Sequence, residues 1–275
     1  MKPTETVLGI WRRVSNSEIG LISAGIGFFG FLAIFPAIAA VITIWGFAAD
    51  PAVVQTQLDL ARNYLPREAF DLLNGQVQRI LSTNSSSLGV TSLLSTIFAI
   101  WSARAGVGAL ISGLNAIYGL PSRSGLRHIL RAFVLTIVLI GLVFSGMTLA
   151  VIVPLVIAFL PLGQAAAYTL GLANFLLGMM LVTLAIALAY RLGPNRERNE
   201  RRTPLLTLGL FVALVLWIAV ARGLVFYLGS FANYTQVYGS IGAVVALLMW
   251  FYLSAYAVLL GAAVNAELEA ERRAQ

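Results

Sequence analysis

Two arginines interrupt otherwise apolar stretches of this sequence, Arg104 and Arg222. A charged side chain at the centre of a membrane helix costs about 2.5–3.5 kcal/mol on insertion scales, so each arginine needs a partner or a route to water. Inside a cavity, a guanidinium group would bind an anionic solute or a lipid phosphate. The alternative for both residues is structural, because a long arginine side chain reaches the membrane surface or caps a helix end.

Four further residues are candidate contacts for a solute or lipid. Pro36 lies near the middle of an apolar run, where a broken helix would expose backbone groups to a ligand. A simple kink with close packing through Ser23 and Gly27 is the alternative. Asn115, Tyr118 and Tyr238 lie at the ends of apolar runs, where polar side chains also serve to satisfy backbone groups or lipid head groups.

The inventory of reactive side chains argues against catalysis. The chain has no cysteine and a single histidine, His128, and its apolar runs contain no Asp, Glu or His. Hydrolysis of RNA needs general acid–base groups or metal ligands. We therefore predict no enzyme activity, no catalytic residues, no metal site and no cofactor.

The composition identifies the elements that must position these residues. Hydrophobic residues make up 59% of the 275 residues and charged residues 11%, with a mean hydropathy of +0.89. Such values indicate a polytopic membrane protein. We predict an all-α helical bundle formed by one integral membrane domain, residues 1–275. Its six spans are expected at residues 20–48, 88–112, 132–160, 168–190, 205–228 and 241–266.

Two segments need separate treatment. Residues 50–87 carry apolar residues at helical spacing in a polar background, which predicts amphipathic helices broken at Pro66 on the outer side of the membrane. The sequence leaves two alternatives for the end of the second span. The helix either stops near Arg104, leaving residues 106–118 in the interface, or continues and buries the arginine.

The distribution of charge predicts the orientation. The chain has a net charge of +7, and 13 of its 18 Lys/Arg residues fall on the side that carries both termini, against three on the opposite side. Positive residues concentrate in cytoplasmic loops, so both termini are predicted to be cytoplasmic. The basic character then reflects topology and attraction to membrane lipids, and no nucleic acid partner is predicted.

Four ordered motifs resemble the YihY/BrkB family of bacterial inner-membrane proteins, once labelled ribonuclease BN. The resemblance covers nearly the full chain. The motifs are Ala33-Ile-Phe-Pro36, then Trp101-Ser-Ala-Arg-Ala-Gly106 with Leu114-Asn-Ala-Ile-Tyr-Gly119, then Tyr190-Arg-Leu-Gly-Pro-Asn195, and finally Tyr238-Gly-Ser-Ile-Gly-Ala243 with Leu248-Met-Trp-Phe-Tyr-Leu253 and Leu260-Gly-Ala262.

This resemblance implies a six-span membrane protein and supplies no settled biochemical activity. Members of the family often carry an acidic residue after the last Gly-Ala pair, where this chain has Ala263. A role for that carboxylate is either lost here or shifted to Glu267.

Two classes of function fit the sequence. One is a permease for an anionic solute or lipid, which predicts a cavity open to water or head groups around Arg104 and Arg222. The other is a non-transporting envelope scaffold or partner-binding protein, which predicts that both arginines are paired and dry. An oligomer is compatible with either class.

Overall fold

The computed structural model describes an all-helical chain. It covers residues 3–48, 74–75, 78, 85–121, 129–130, 132–142, 145–146, 149, 164–196, 203–230 and 240–274. Seven helices lie in this described part: α1 Pro3–Asn16, α2 Ile19–Ala48, α3 Ser85–Tyr118, α4 Ala132–Leu142, α5 Gln164–Leu192, α6 Leu208–Ser230 and α7 Ser240–Ala274.

Four stretches within these helices are long and apolar enough to cross a membrane. They are Thr96–Tyr118, Tyr168–Leu192, Leu208–Tyr227 and Val244–Arg273. The first part of α2 would add a fifth span if it is taken together with α1, from which it is bent by 57°. Of the predicted outer helices at residues 50–87, only residues 74–75 and 78 are described, and residues 85–87 form the start of α3. Most of the predicted span at 132–160 beyond Leu142 also lies outside the described residues. The all-α class of integral membrane protein is confirmed.

Local chemistry explains where several helices begin and end. Gly119 follows α3 with a φ of +65°, in the left-handed region where glycine commonly ends a helix. The predicted span at residues 205–228 begins as a helix only at Leu208. The Thr207 hydroxyl caps this helix by accepting a hydrogen bond from the backbone N–H of Leu210 at 3.1 Å.

The helices α2, α3 and α7 pack together through small residues. Gly106 of α3 faces the backbone of α2 near Gly30, and Gly113 faces Ile22, so α2 and α3 run antiparallel. Gly27 of α2 lies against the backbone of Tyr252 in α7. Small residues at such crossings let helix backbones approach closely, which is the main source of packing energy inside a bilayer.

A second close crossing joins α6 to α7. A Cβ atom on Gly209 would collide with the carbonyl oxygen of Gly261, and a Cβ atom on Gly261 would collide with that of Gly209. The Asn265 side chain strengthens this crossing by accepting a hydrogen bond from the backbone N–H of Gly209 at 2.9 Å. Asn265 thus satisfies a backbone group at the end of a span.

The largest described core cluster lies near the end of the bundle where α1 meets the last turns of α7, which we call the terminal end. It draws on α2, α3, α5, α6 and α7; the fully buried members include Ile19, Leu114, Tyr190, Ala213, Leu259 and Ala262. The Tyr190 hydroxyl donates a hydrogen bond to the carbonyl oxygen of Val258 at 2.6 Å. The core therefore fixes the relative positions of five helices at the terminal end.

Candidate functional site

Arg104 lies within a helix that does not stop at it. The α3 helix continues from Ser85 to Tyr118, so of the two arrangements predicted for this segment the structure has the continuous helix. The Arg104 side chain is half-buried, and among the described residues no hydrogen bond or ion pair holds it. At 1.5 Å per residue, Arg104 lies about 21 Å along α3 from Tyr118.

Arg222 occupies a different environment. It lies on α6 eight residues before Ser230, and its side chain is exposed on the outside of the bundle. That position agrees with an arginine that extends toward head groups. Among the described residues, no contact or cavity brings Arg222 and Arg104 together.

The other predicted contact residues divide into two groups. Pro36 lies inside α2, which continues as a helix to Ala48, while Tyr238 falls outside the described residues. Asn115 and Tyr118, one turn apart on α3, both lie at the terminal end next to residues of the Tyr190–Asn195 motif.

Asn115 holds the segment that follows α5. Its side-chain carbonyl oxygen accepts a hydrogen bond from the backbone N–H of Asn195 at 2.8 Å, and its backbone carbonyl accepts one from Leu120 at 2.8 Å. Both asparagines are buried, at 4% and 3% exposure. This bond joins the second and third sequence motifs and places Arg196 beside Tyr118.

Arg196 is the most buried charge described at the terminal end, at 8% exposure. Its guanidinium carbon lies 4.8 Å from the centre of the Tyr118 ring, within the range of a cation–π contact. The same guanidinium donates to both carboxylate oxygens of Glu269, at 2.8 and 3.0 Å. Thr203 adds a hydroxyl hydrogen bond to that carboxylate at 3.4 Å.

Arg13 makes a second ion pair at the same level. Its Nε atom donates to Glu267 at 2.5 Å, and its Nη1 atom donates to the backbone carbonyl of Ile117 at 3.2 Å. One side chain thereby connects α1, α3 and α7. Glu267, to which the sequence interpretation assigned a possible carboxylate role, is held in this pair, while Ala263 is fully buried in the core.

A cavity of about 310 Å³ opens between these ion pairs. Its ionisable lining residues include three arginines and one glutamate; the whole lining consists of Arg13, Tyr118, Leu120, Arg196, Ala266, Glu269, Ala270 and Arg273. Arg273 has no hydrogen bond or ion pair with another described residue, whereas the Tyr118 hydroxyl is buried close to Thr203 and Arg196. The cavity therefore offers the guanidinium group of Arg273 to an anion.

The sequence interpretation missed most of this cavity. Tyr118 is a candidate contact in the sequence, but Arg13, Arg196 and Arg273 are interpreted there only as basic residues that indicate the topology. The available signal was the position of Glu267 and Glu269 directly after the last apolar run, opposite a basic loop predicted on the same side. A single sequence does not show which arginine meets which glutamate.

A sequence profile of the family described as Virulence factor BrkB matches residues 10–275 of the chain. The chain belongs to this family. The match includes every residue that lines the cavity, and it confirms the resemblance drawn from the four motifs.

Curated relatives match over most of the chain at low identity. The "Putative ribonuclease-like protein YfkH" of Bacillus subtilis is 26% identical over 267 residues, covering 91% of this chain and 90% of its own. A "UPF0761 membrane protein" of Pseudoalteromonas atlantica is 26% identical over 258 residues, covering 90% and 81%. A similar protein of Alteromonas mediterranea is 26% identical over 273 residues, covering 95% and 87%. No solved structure matches the chain.

Proposed function

We propose that this protein is a permease for an anionic solute or lipid in the bacterial inner membrane, and that the terminal-end cavity is its cytoplasmic entrance. The observation that supports this proposal is the composition of the lining, in which three arginines face one glutamate. Two of the arginines are held by Glu267 and Glu269, and Arg273 has no ion-pair partner in the described part of the chain.

The chemistry of the cavity suits a phosphate, carboxylate or similar anion. A guanidinium group and a phenolic hydroxyl are both hydrogen-bond donors, and charge assistance strengthens such bonds to an anion. Arg104 is half-buried about 21 Å farther along α3. We propose that Arg273 receives the anion at the cavity, where Tyr118 is a candidate contact, and that Arg104 stabilises it at depth.

A six-span topology with cytoplasmic termini accompanies this proposal. The directions of five described helices support successive crossings of the membrane. The α2 helix leads away from the terminal end and α3 returns to it. The α5 helix ends there, α6 begins there and α7 ends there. The passage from Tyr118 to α5 then requires one more crossing away from the terminal end. The α4 helix begins that crossing, since Ala132 and Leu135 pack near Leu192 and Ile111.

We infer that the protein is not a ribonuclease and has no nucleic acid partner. The predicted spans contain no acidic residue or histidine for acid–base chemistry. No group of three or more potential metal-ligating residues occurs in the described part of the chain. The basic residues cluster at one end of a membrane bundle, where anionic lipids account for their sign.

The test for a lipid substrate uses the purified protein in vesicles that contain fluorescently labelled phosphatidylglycerol or phosphatidylcholine. Dithionite quenching from outside measures movement between leaflets. We expect wild-type protein to accelerate movement of the anionic lipid over that of the zwitterionic lipid, and Arg273→Gln to reduce this difference. The matched control is Arg272→Gln, which removes a neighbouring exposed arginine that does not line the cavity.

The test for a solute substrate uses the absence of cysteine from the chain. Single cysteines at Ala103 and Val107, which flank Arg104, are exposed to a membrane-impermeant thiol reagent from either side. A water-filled path predicts labelling there, whereas a cysteine at the exposed, apolar Ile137 of α4 should stay protected in lipid. If these positions are all protected and the lipid assay matches protein-free vesicles, the permease is rejected.

That double failure would favour an envelope scaffold instead. The position of Arg222 does not fit the permease expectation of a cavity around both arginines, because Arg222 is exposed on the outside of the bundle and does not line the described cavity.

A further inference from the structure

The α1 helix has three distinct edges. At roughly 100° per residue, Thr6, Ile10 and Arg13 fall on one edge, Val7, Leu8 and Trp11 on a second, and Glu5, Arg12 and Asn16 on a third. Thr4 and Ser15 also fall on the second edge, which we call the apolar edge because its three largest side chains are apolar. An ordinary surface helix of a soluble protein buries its apolar edge, and here the helix packs on the bundle through a different edge.

The first edge binds the bundle. Ile10 packs on the terminal-end core, the Thr6 hydroxyl donates to Glu271 at 2.6 Å, and Arg13 pairs with Glu267. Gly9 lies directly against the Glu267 side chain. These contacts fix the rotation of α1 about its own axis, so the directions of the other two edges follow from them.

The apolar edge is unusually exposed for residues of its type. Val7 is 65% exposed, Leu8 50% and Trp11 68%. The charged edge beside it, with Glu5 and Arg12, is exposed as well. Two exposed edges of opposite character along one helix are the pattern of a helix that lies in a membrane surface.

The position of α1 along the bundle indicates what covers the apolar edge. Its partners Glu267 and Glu271 directly follow the apolar run of α7, so α1 lies at the level where that helix leaves the hydrocarbon. The chain then turns at Glu18, which has a φ of +49°, and enters α2 at an angle of 57°. The apolar surface resumes at once, since Leu21 on α2 is 71% exposed.

We propose that α1 is an interfacial helix whose Val7, Leu8 and Trp11 edge is embedded in the head-group and upper acyl region of a phospholipid leaflet. The charged edge faces water, and the ion pair with α7 holds the helix at the surface. Tryptophan concentrates at this depth because its ring is apolar and its N–H remains hydrated. This proposal is independent of transport, because it needs only that the bundle crosses a membrane.

The experiment is spin labelling of single cysteines in the full chain, reconstituted in phosphatidylethanolamine–phosphatidylglycerol vesicles. Labels at Val7→Cys, Leu8→Cys and Trp11→Cys report the apolar edge, and labels at Glu5→Cys and Arg12→Cys report the charged edge. Collision with oxygen, which concentrates in lipid, is compared with collision with a water-soluble nickel chelate. Three apolar-edge positions guard against one variant that fails to fold.

We expect the oxygen-to-nickel ratio to be severalfold higher at positions 7, 8 and 11 than at 5 and 12. High nickel collision at all five positions would place α1 in water and overturn the proposal. High oxygen collision at all five would make α1 part of the first span and also overturn it. Spin–spin broadening at positions 7, 8 and 11 that disappears on dilution with unlabelled protein would assign the edge to a second copy of the chain instead.

Discussion

Asn115 shows how one polar side chain organises the terminal-end cavity. Its bond to the Asn195 backbone holds the segment that carries Arg196, and Arg196 in turn covers the Tyr118 ring and holds Glu269. The backbone N–H of Asn195 is buried, so an alternative bond to water requires the segment to move.

We predict that Asn115→Ala lowers the melting temperature of the purified protein and exposes the segment around Arg196 to protease. Loss of a partner for a buried N–H costs about 1–3 kcal/mol. The matched control is Ser112→Ala on the same helix, whose exposed hydroxyl bonds only to the carbonyl of Gly108 in its own helix. Equal melting temperatures for the two variants would contradict the role assigned to Asn115.

Gly261 tests the packing at the crossing of α6 and α7. A methyl group there would meet the Gly209 carbonyl oxygen, the Tyr190 hydroxyl and the Ala213 side chain at once. We predict that Gly261→Ala destabilises the protein by about 1–3 kcal/mol, the usual range for overpacking, measured by thermal unfolding in detergent. Gly223→Ala is the control, because a Cβ atom there meets nothing within 4 Å. If Gly261→Ala is as stable as this control, α6 and α7 can move apart to accept the methyl group without a loss of stability.

The sequence predicts which polar residues bond to the backbone better than it predicts which backbone group each of them binds. Asn115, at the end of an apolar run, was expected either to contact a ligand or to satisfy a backbone group, and it bonds to a backbone N–H; Asn265, at the end of another span, does the same. Their partners, Asn195 and Gly209, lie 80 and 56 residues away along the chain. A single sequence does not identify such distant partners, because any buried backbone N–H would donate equally well to the same side-chain carbonyl oxygen.

At the scale of elements, the attachment of α1 to α7 depends on the ion pair between Arg13 and Glu267. Both side chains are partly buried, at 28% and 15% exposure, so the pair is screened less by salt than a surface pair. The additional bond from Arg13 to the Ile117 carbonyl makes α1 part of the same unit as α3.

A double-mutant cycle with Arg13→Gln and Glu267→Gln should measure this attachment. Groups in direct contact show coupling energies of about 0.5–3 kcal/mol, and we expect a favourable value toward the lower part of that range. The readout is the midpoint of unfolding in a detergent titration. The Arg12→Gln variant, from the exposed edge of α1, should leave the midpoint unchanged. Additive effects of the two substitutions would mean that α1 is held by other contacts.

Apolar runs predicted the long helices well because a span must satisfy its own backbone groups. The run predicted at residues 168–190 lies within α5, Gln164–Leu192, and the run at 241–266 lies within α7. The start of α6 was misplaced because Thr207 provides the cap, three residues after Pro204. The α1 helix was missed because its apolar residues belong to two edges, which obscures a single helical period.

At the scale of the whole molecule, both ends of the described chain lie at the same end of the bundle. The contact between Thr6 and Glu271 joins the first and last helices directly. If these helices meet outside the hydrocarbon on one side, the chain crosses the membrane an even number of times. The six-span arrangement proposed above meets this condition.

Single cysteines at Asn16, Leu60, Arg198 and Arg272 test this topology in intact cells, since the protein contributes no background thiol. In the six-span arrangement with cytoplasmic termini, an impermeant maleimide labels only the cysteine at position 60. The other three positions become labelled after the cells are permeabilised, because 16 and 272 lie at the terminal end and 198 follows the segment held there by Asn115. Labelling of 198 from outside would require a different course between Tyr118 and α5. Labelling of 16 and 272 from outside, with 60 protected, would retain six spans and reverse their orientation, which would place the arginine-lined cavity on the outer face and make it an exit or uptake site.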